Sequence, residues 1–210
     1  MDADRRHLVI PEGWEIVGGA DTGTYTSAVL AAFSPEGEAF VLHEFPTYRY
    51  IAGVPERDES LTIPGGAARV GQVCGLLHTR PVLWADRNSQ FKRELMNYDI
   101  HLLADKTPAE ARTEITREYF EHGRIWLAPW LTVLPFELEN AKWPEAATSA
   151  GKFMRIKDRD HTLDCLEHIL ARRPKGEWAT VTKKATTWAE NWVGKPRRVY
   201  QSSNPHLGND

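Results

Sequence analysis

The 210 residues carry 26 Lys and Arg against 29 Asp and Glu, a formal net charge of −3, with 41% hydrophobic and 26% charged residues. That composition belongs to a chain able to bury a core and excludes global disorder, while near-neutrality excludes a whole-chain attraction for a polyanion, so nucleic acid would be met by a local patch. No apolar run approaches the roughly 18 to 20 residues that span a bilayer, and residues 1–14 lack the apolar stretch of a signal peptide.

Cys74 and Cys165 lie far apart, with no spacing that suggests zinc or a disulfide framework, and both are expected as reduced thiols in the cytosol. Neither GxxxxGKS/T nor GxGxxG occurs, which leaves P-loop ATPases and Rossmann dehydrogenases without support.

After a polar lead over residues 1–13, apolar runs at Trp14–Ala20, Thr24–Ser34 and Glu38–Phe45, separated by Asp21-Thr22-Gly23 and Pro35-Glu36-Gly37, predict a three-stranded antiparallel meander. The Pro- and Gly-rich stretch from Pro46 to Gly66 reads as an irregular surface excursion. Helical periodicity starts at Ala67 and runs to about Leu77, followed by a buried strand over Pro81–Ala85 and a helix over Asn88–Asn97. Ile100–Ala104 reads as a strand, and Thr107-Pro108 with Glu110 opens a helix to about Glu121 that Gly123 stops. Arg124–Ala128 is a short strand and Leu131–Lys142 a helix. The last helix opens at Asp160, ends before Pro174, and carries an apolar stripe of Leu163, Leu166, Ile169 and Leu170. The basic segment 175–210, with Trp178, Trp188 and Trp192, reads as an appended tail. Strands interleaved with helices after a meander indicate a mixed α/β fold.

Four acids stand out. Asp21 meets a tight turn through Gly23, Asp86 closes the apolar run Val82-Leu83-Trp84-Ala85, and Asp160 and Asp164 lie one turn apart on a helix face other than the apolar stripe. Taken singly, each has a plainer reading: a turn residue for Asp21, helix caps for Asp86 and Asp160, a solvated helix position for Asp164. Taken together, carboxylates at two strand ends and one helix start can converge across a sheet. Hard oxygen donors without Cys or His partners suit Mg²⁺ or Mn²⁺, not zinc. Such clusters serve in-line displacement at phosphate, where two ions roughly 3.5 to 4 Å apart activate a water and stabilise the leaving oxygen. Arg87, Lys92 and Arg93 follow the second acid, and Lys152, Arg155, Lys157 and Arg159 precede the third. These cations suit either phosphate contacts or a solvated face.

Three segments carry a family resemblance: Gly18-Gly19-Ala20-Asp21-Thr22-Gly23 with the hairpin after it, Val82-Leu83-Trp84-Ala85-Asp86, and Asp160-His161-Thr162-Leu163-Asp164-Cys165-Leu166, which looks like a DHxxDAxRY helix. With them, the chain from Trp14 to Pro174 resembles the C-terminal nuclease domain of the large terminase subunit of tailed bacteriophages, in the RNase H-like superfamily. Cys165 stands where that family usually has Ala, and Glu167-His168 where it often has Arg-Tyr.

The resemblance implies a mixed central sheet, its first three strands antiparallel, flanked by helices, with residues 14–174 as the nuclease domain between the lead and the tail. It implies two Mg²⁺ or Mn²⁺ ions held by Asp21, Asp86 and Asp160 with Asp164 as a fourth candidate, and Arg87, Lys92, Lys152 and Lys157 on the DNA. The implied activity is endonucleolytic cutting of double-stranded DNA during genome packaging. Its partners would be a terminase ATPase motor, the small terminase subunit and the portal protein, its setting the host cytoplasm at the procapsid portal, with no membrane. The alternative expectation is a catalytically weak DNA-handling or portal-docking module. Asp21-Thr22-Gly23-Thr24 also resembles the first phosphate loop of actin-like ATPases and sugar kinases, whose second lobe and later glycine motif the sequence lacks.

Overall fold

The computed structural model describes residues 9–22, 25–58, 61–86, 90–141, 160–172 and 197–199. Strands β1 (Glu15–Asp21), β2 (Ser27–Phe33) and β3 (Ala39–Glu44) form the expected antiparallel meander. Its second turn closes through Gly37 at φ 80°. Every residue of β2 is buried. That is why Ser-Ala-Val-Leu-Ala-Ala-Phe is an almost continuous apolar run: β2 lies mid-sheet with helices on both faces.

The stretch read as irregular holds a hairpin, β4 (Tyr48–Ile51) with β5 (Val54–Arg57). Its two-residue turn is Ala52-Gly53 at φ 48° and 78°. Both residues are left-handed, as tight hairpins require, but Ala lacks the Asn or Gly signature that reveals such a turn in sequence. Pro55 is tolerated because a two-stranded ribbon leaves each strand an open edge. Helix α1 (Ile63–Leu76) begins four residues before the predicted start. Thr62 accepts the Gly65 N–H and Pro64 lies in the first turn, so the cap outweighs the loop-like Gly65-Gly66 pair.

The remaining elements are β6 (Leu83–Ala85), α2 (Gln90–Met96), β7 (Leu102–Ala104), α3 (Ala109–Glu121), β8 (Ile125–Leu127), α4 (Val133–Asn140), α5 (His161–Leu170) and β9 (Arg197–Val199). They complete a seven-stranded sheet in the order β7-β6-β1-β2-β3-β8-β9. Strand β6 runs parallel to β1, β7 to β6 and β8 to β3, whereas β9 pairs antiparallel to β8. Strands β1, β3, β6, β7 and β8 therefore all point their carboxyl ends to one edge. Strand β9 comes from the segment read as a tail, and Trp178, Trp188 and Trp192 lie outside the described residues.

Alternate residues of the central strands face different layers. Val17, Val29 and Phe40 join Tyr119 of α3 and Leu163, Leu166, Ile169 and Leu170 of α5 in one core. Ala20, Ala28 and Leu30 join Ala67, Val70 and Cys74 of α1 and Phe91 and Leu95 of α2 in the other. The stripe read on the last helix is thus buried as expected. Among the described residues no helix is long and apolar enough to cross a membrane.

Candidate active site

The carboxyl edge gathers the acids through backbone register. Gly18 and Gly19 of β1 stand opposite Leu83 and Trp84 of β6. Asp21 and Asp86 each lie two residues further, at neighbouring strand ends. The Gly-Gly pair makes this approach possible: a Cβ on Gly18 would sit 2.4 Å from Leu83 Cγ, and one on Gly19 would sit 2.0 Å from the carbonyl oxygen of Cys165. With no side chain at position 19, α5 lies directly on β1 and its first turn reaches Asp21.

Contacts there are short. The Asp21 N–H donates to Cys165 Sγ (3.1 Å), and His161 Nδ1 lies 2.7 Å from Asp21 Oδ2. Ser27 Oγ donates to the His161 carbonyl (3.0 Å) and lies 3.1 Å from Cys165 Sγ. Cys165 thus fills a polar niche between two strands and the helix. Burial works against a charged imidazole, but the hydrogen bond and charge of Asp21, with the charges of Glu137 and Asp160, hold the His161 pKa above its ordinary value.

Asp160 occupies the N-cap of α5 and is 6% exposed, yet its side chain makes no capping bond. The capping is done from another helix. Oε2 of Glu137, in α4, accepts the N–H groups of Thr162 (2.8 Å) and Leu163 (2.9 Å) and the Thr162 hydroxyl (2.5 Å). Oε1 of Glu137 accepts the hydroxyls of Tyr48 (2.6 Å) and Tyr50 (2.9 Å), both from the hairpin. Burial pushes the Glu137 carboxyl up, and these donors oppose the shift. Asp164 is half-buried in the first turn of α5, its N–H donating to the Asp160 carbonyl (2.8 Å).

Asp86 has different company. Its two oxygens accept from Arg112 Nη1 (2.7 Å) and Nη2 (3.2 Å), and His168 Nε2 lies 3.6 Å from Oδ1. Behind this pair Asp105 accepts from His168 Nδ1 (2.7 Å), Arg172 (2.7 Å) and the Thr107 N–H (2.9 Å). Burial works to raise the Asp105 pKa, but the bonds from His168 and Thr107 and the charge of Arg172 hold it below the usual carboxylate range. Burial, helped by the charge of Arg112, holds His168 below its ordinary value despite the bond to Asp105.

Asp160 and Asp164 stand at the start of α5, whose first turn meets Asp21 through His161, and Asp86 stands at the end of the strand beside Asp21. Lys92 is half-buried on α2, after Asp86; Arg87, Lys152 and Lys157 lie outside the described residues. Arg112 and Asp105 escape the sequence reading, which assigns Glu137 and His168 no role of their own. A signal exists in part: Glu137 and His168 are charged or polar residues among the apolar residues of α4 and α5, and Asp105 follows the apolar strand β7. The carboxylate donor set suits a hard divalent cation. Among the described residues, though, no three His, Cys, Asp or Glu side chains are gathered closely enough to hold one. Instead a His161 ring nitrogen is hydrogen-bonded to Asp21 and the Arg112 guanidinium pairs with Asp86.

No family model and no curated protein matches the chain. Solved structures do. The large terminase nuclease from thermophilic phage G20c with bound cobalt superposes with a TM-score of 0.51 at 16% identity, over 78% of this chain and 84% of that one. The large terminase of a second thermophilic bacteriophage gives a TM-score of 0.58 at 16% identity, over 78% of this chain and 41% of that one, and its ADP complex again gives 0.58. The chain therefore spans most of an isolated terminase nuclease but less than half of the second phage's large terminase. These likenesses show that the chain, with its sheet order β7-β6-β1-β2-β3-β8-β9, has the mixed α/β, RNase H-like fold of the large terminase nuclease.

Proposed function

We propose that this chain is a metal-dependent endonuclease that cuts double-stranded DNA during viral genome packaging. The observation that carries the reading is the placement of Asp21 and Asp86 on register-matched ends of neighbouring parallel strands, with the acidic first turn of α5 seated on Asp21. Asp21, Asp86 and Asp160 would hold Mg²⁺ or Mn²⁺, with Asp164 beside them. When bound, such ions supply Lewis-acid charge at phosphate and a nucleophilic water at neutral pH.

The chain's own groups do the rest. Arg112 holds both oxygens of Asp86 in one orientation, and His161 Nδ1 is hydrogen-bonded to Asp21 Oδ2. Lys92, with Arg87, Lys152 and Lys157, would meet the DNA backbone, where cations contribute affinity without sequence preference. Packaging places this activity with a terminase ATPase motor, the small terminase subunit and the portal protein, in the host cytoplasm at the procapsid. The test is cleavage of supercoiled plasmid with Mn²⁺. Asp21→Asn and Asp86→Asn should each lower the rate on the order of a thousandfold, since a bound ion supplies several kcal/mol of transition-state stabilisation. Full activity in either variant, with contaminating nuclease excluded, removes the assignment.

The bidentate Arg112–Asp86 pair favours one second reading, a DNA-handling or portal-docking module that is catalytically weak alone. Calorimetric titration separates the two: absence of Mn²⁺ binding at millimolar concentration selects the docking module.

A further inference from the structure

Beside α1, at the carboxyl end of β3, lies a cavity of about 310 Å³, within the size range of small-molecule sites. Arg69 and Gln72 line it from one face of α1, and His43, Phe45 and Trp130 supply an aromatic wall. The rings hold one another in place: His43 lies 6.1 Å from Phe45 and 5.9 Å from Trp130 between centroids, and Trp130 Nε1 donates to the Leu42 carbonyl (2.8 Å). Arg69 is half-buried. Its Nη2 donates to the Pro46 carbonyl (2.8 Å), and no other hydrogen bond or ion pair among the described residues engages the guanidinium. Burial holds its pKa below the ordinary value, with the charge of Asp58 opposing. A desolvated guanidinium with donors to spare is matched by an anion.

Glu44 also lines the cavity, but its carboxylate is taken up at the start of α4. Oε1 accepts the N–H groups of Thr132 (2.6 Å) and Val133 (2.9 Å), and Oε2 accepts that of Leu134 (2.7 Å). Strand register fixes the cavity's distance from the acids. Glu44 and Gly19 both pair with Val29 of β2, so the end of β3 lies two strand spacings, about 10 Å, from β1 and Asp21 at the same sheet edge. That span equals about three steps along one strand of a duplex, at a rise of about 3.4 Å each.

Within the nuclease reading, which supplies the source of the ligand and on which this inference rests, we propose that the cavity binds an unpaired nucleotide of a DNA strand, with its base against the aromatic wall and its phosphate on Arg69. A nucleotide uses both halves of the cavity: aromatic side chains stack on any base, and a guanidinium pairs with phosphate oxygens. Inorganic phosphate would use Arg69 alone. The nucleotide is unpaired because a base in a duplex must first leave its stack to enter such a cavity.

The experiment is calorimetric titration of the full 210-residue chain with a short 5′-phosphorylated oligodeoxyadenylate, in the presence of a metal chelator. Gln72 is exposed, so its variants test the site without disturbing the core. Gln72→Lys should tighten binding about threefold and Gln72→Glu weaken it about as much, the effect of one surface charge near a phosphate. Arg69→Ala should weaken binding about tenfold, the affinity equivalent of one charged hydrogen bond. Trp130→Ala should do the same, while Trp130→Phe, which keeps a ring, stays close to wild type. No binding by the wild-type chain, or unchanged affinity in Arg69→Ala or in both Gln72 variants, overturns the site. A blunt duplex bound as tightly as the single strand overturns the entry of an unpaired base. Deoxyadenosine monophosphate bound as tightly as the oligonucleotide assigns the cavity to a free nucleotide and overturns DNA as the source. Because no metal takes part, the nuclease reading fails separately: a chain that binds the oligonucleotide yet leaves plasmid uncut with Mn²⁺ loses the cutting and keeps the cavity.

Discussion

The two strand-end acids are built in by different means. Around Asp21 the work is done by close backbone approach and hydrogen bonds: Gly19 admits α5, Cys165 and Ser27 tie the helix to the strand, and Glu137 caps its start. Around Asp86 it is done by charge. Asp86 is 63% exposed and faces Arg112, which is 4% exposed, and the pair is backed by Asp105, His168 and Arg172. One helix serves both sides, since His161 in the first turn of α5 meets Asp21 and His168, two turns on, meets Asp105. The contrast shows how a fold sets two acids side by side by different means, through close backbone approach and hydrogen bonds at Asp21 and through a buried guanidinium at Asp86.

That contrast can be broken from either side. The largest effect is expected from Asp105→Ala, which leaves a buried His168 and the Arg172 guanidinium without their acceptor. Loss of one partner from such a buried network costs about 3–5 kcal/mol, read as a lowered midpoint in urea unfolding, and a change below about 1 kcal/mol would show that the charges of the Asp86 side are not structural. Next is Gly19→Ala on the other side. The added Cβ meets backbone, not a flexible side chain, so α5 must move, at about 3 kcal/mol. Thermal unfolding reads the cost, and an unchanged midpoint would show that helix and strand have room to separate.

A further expectation concerns acid. Because the Asp105 pKa is depressed in the folded state, its contribution is fully present above the ordinary carboxylate value and is lost as pH falls below about 4 through the folded value. Unfolding midpoints of the wild-type chain should therefore drop on acidification, with a shallower drop in Asp105→Asn; parallel curves would remove Asp105 as the cause. The smallest effect is expected from Glu44→Ala, which uncaps α4 at about 1 kcal/mol, measured by denaturant unfolding. A null result would separate the Glu44 cap from the buried Glu137 cap, where protein donors surround both oxygens.

Much of the molecule is legible in residue order. The meander, the strand before Asp86, the stripe of α5 and the acids at strand ends follow from periodicities of two and 3.6 and from turn residues, which act over a few positions. The hairpin is not legible, because Ala52 adopts a left-handed backbone that its side chain does not advertise. The start of α1 is hidden by Gly65-Gly66, a loop-like pair that the Thr62 cap overrides in the structure. At the site, Asp160 stands at a helix start as expected, but the plain expectation for an Asp there, that it caps its own helix, does not hold.

By itself, then, the sequence determined the meander, most of the later strands and helices and which acids end them, because those outcomes depend on neighbours along the chain. Only the tertiary structure decided what each acid meets. His161 reaches Asp21 across 140 positions, Arg112 reaches Asp86 across 26, and Glu137 reaches the start of α5 across 25. Such pairings leave no local pattern, because they are made by packing α5 onto a glycine strand and α3 and α4 beside it. The same packing converts an ordinary helix-capping Asp into one whose capping is done by another helix.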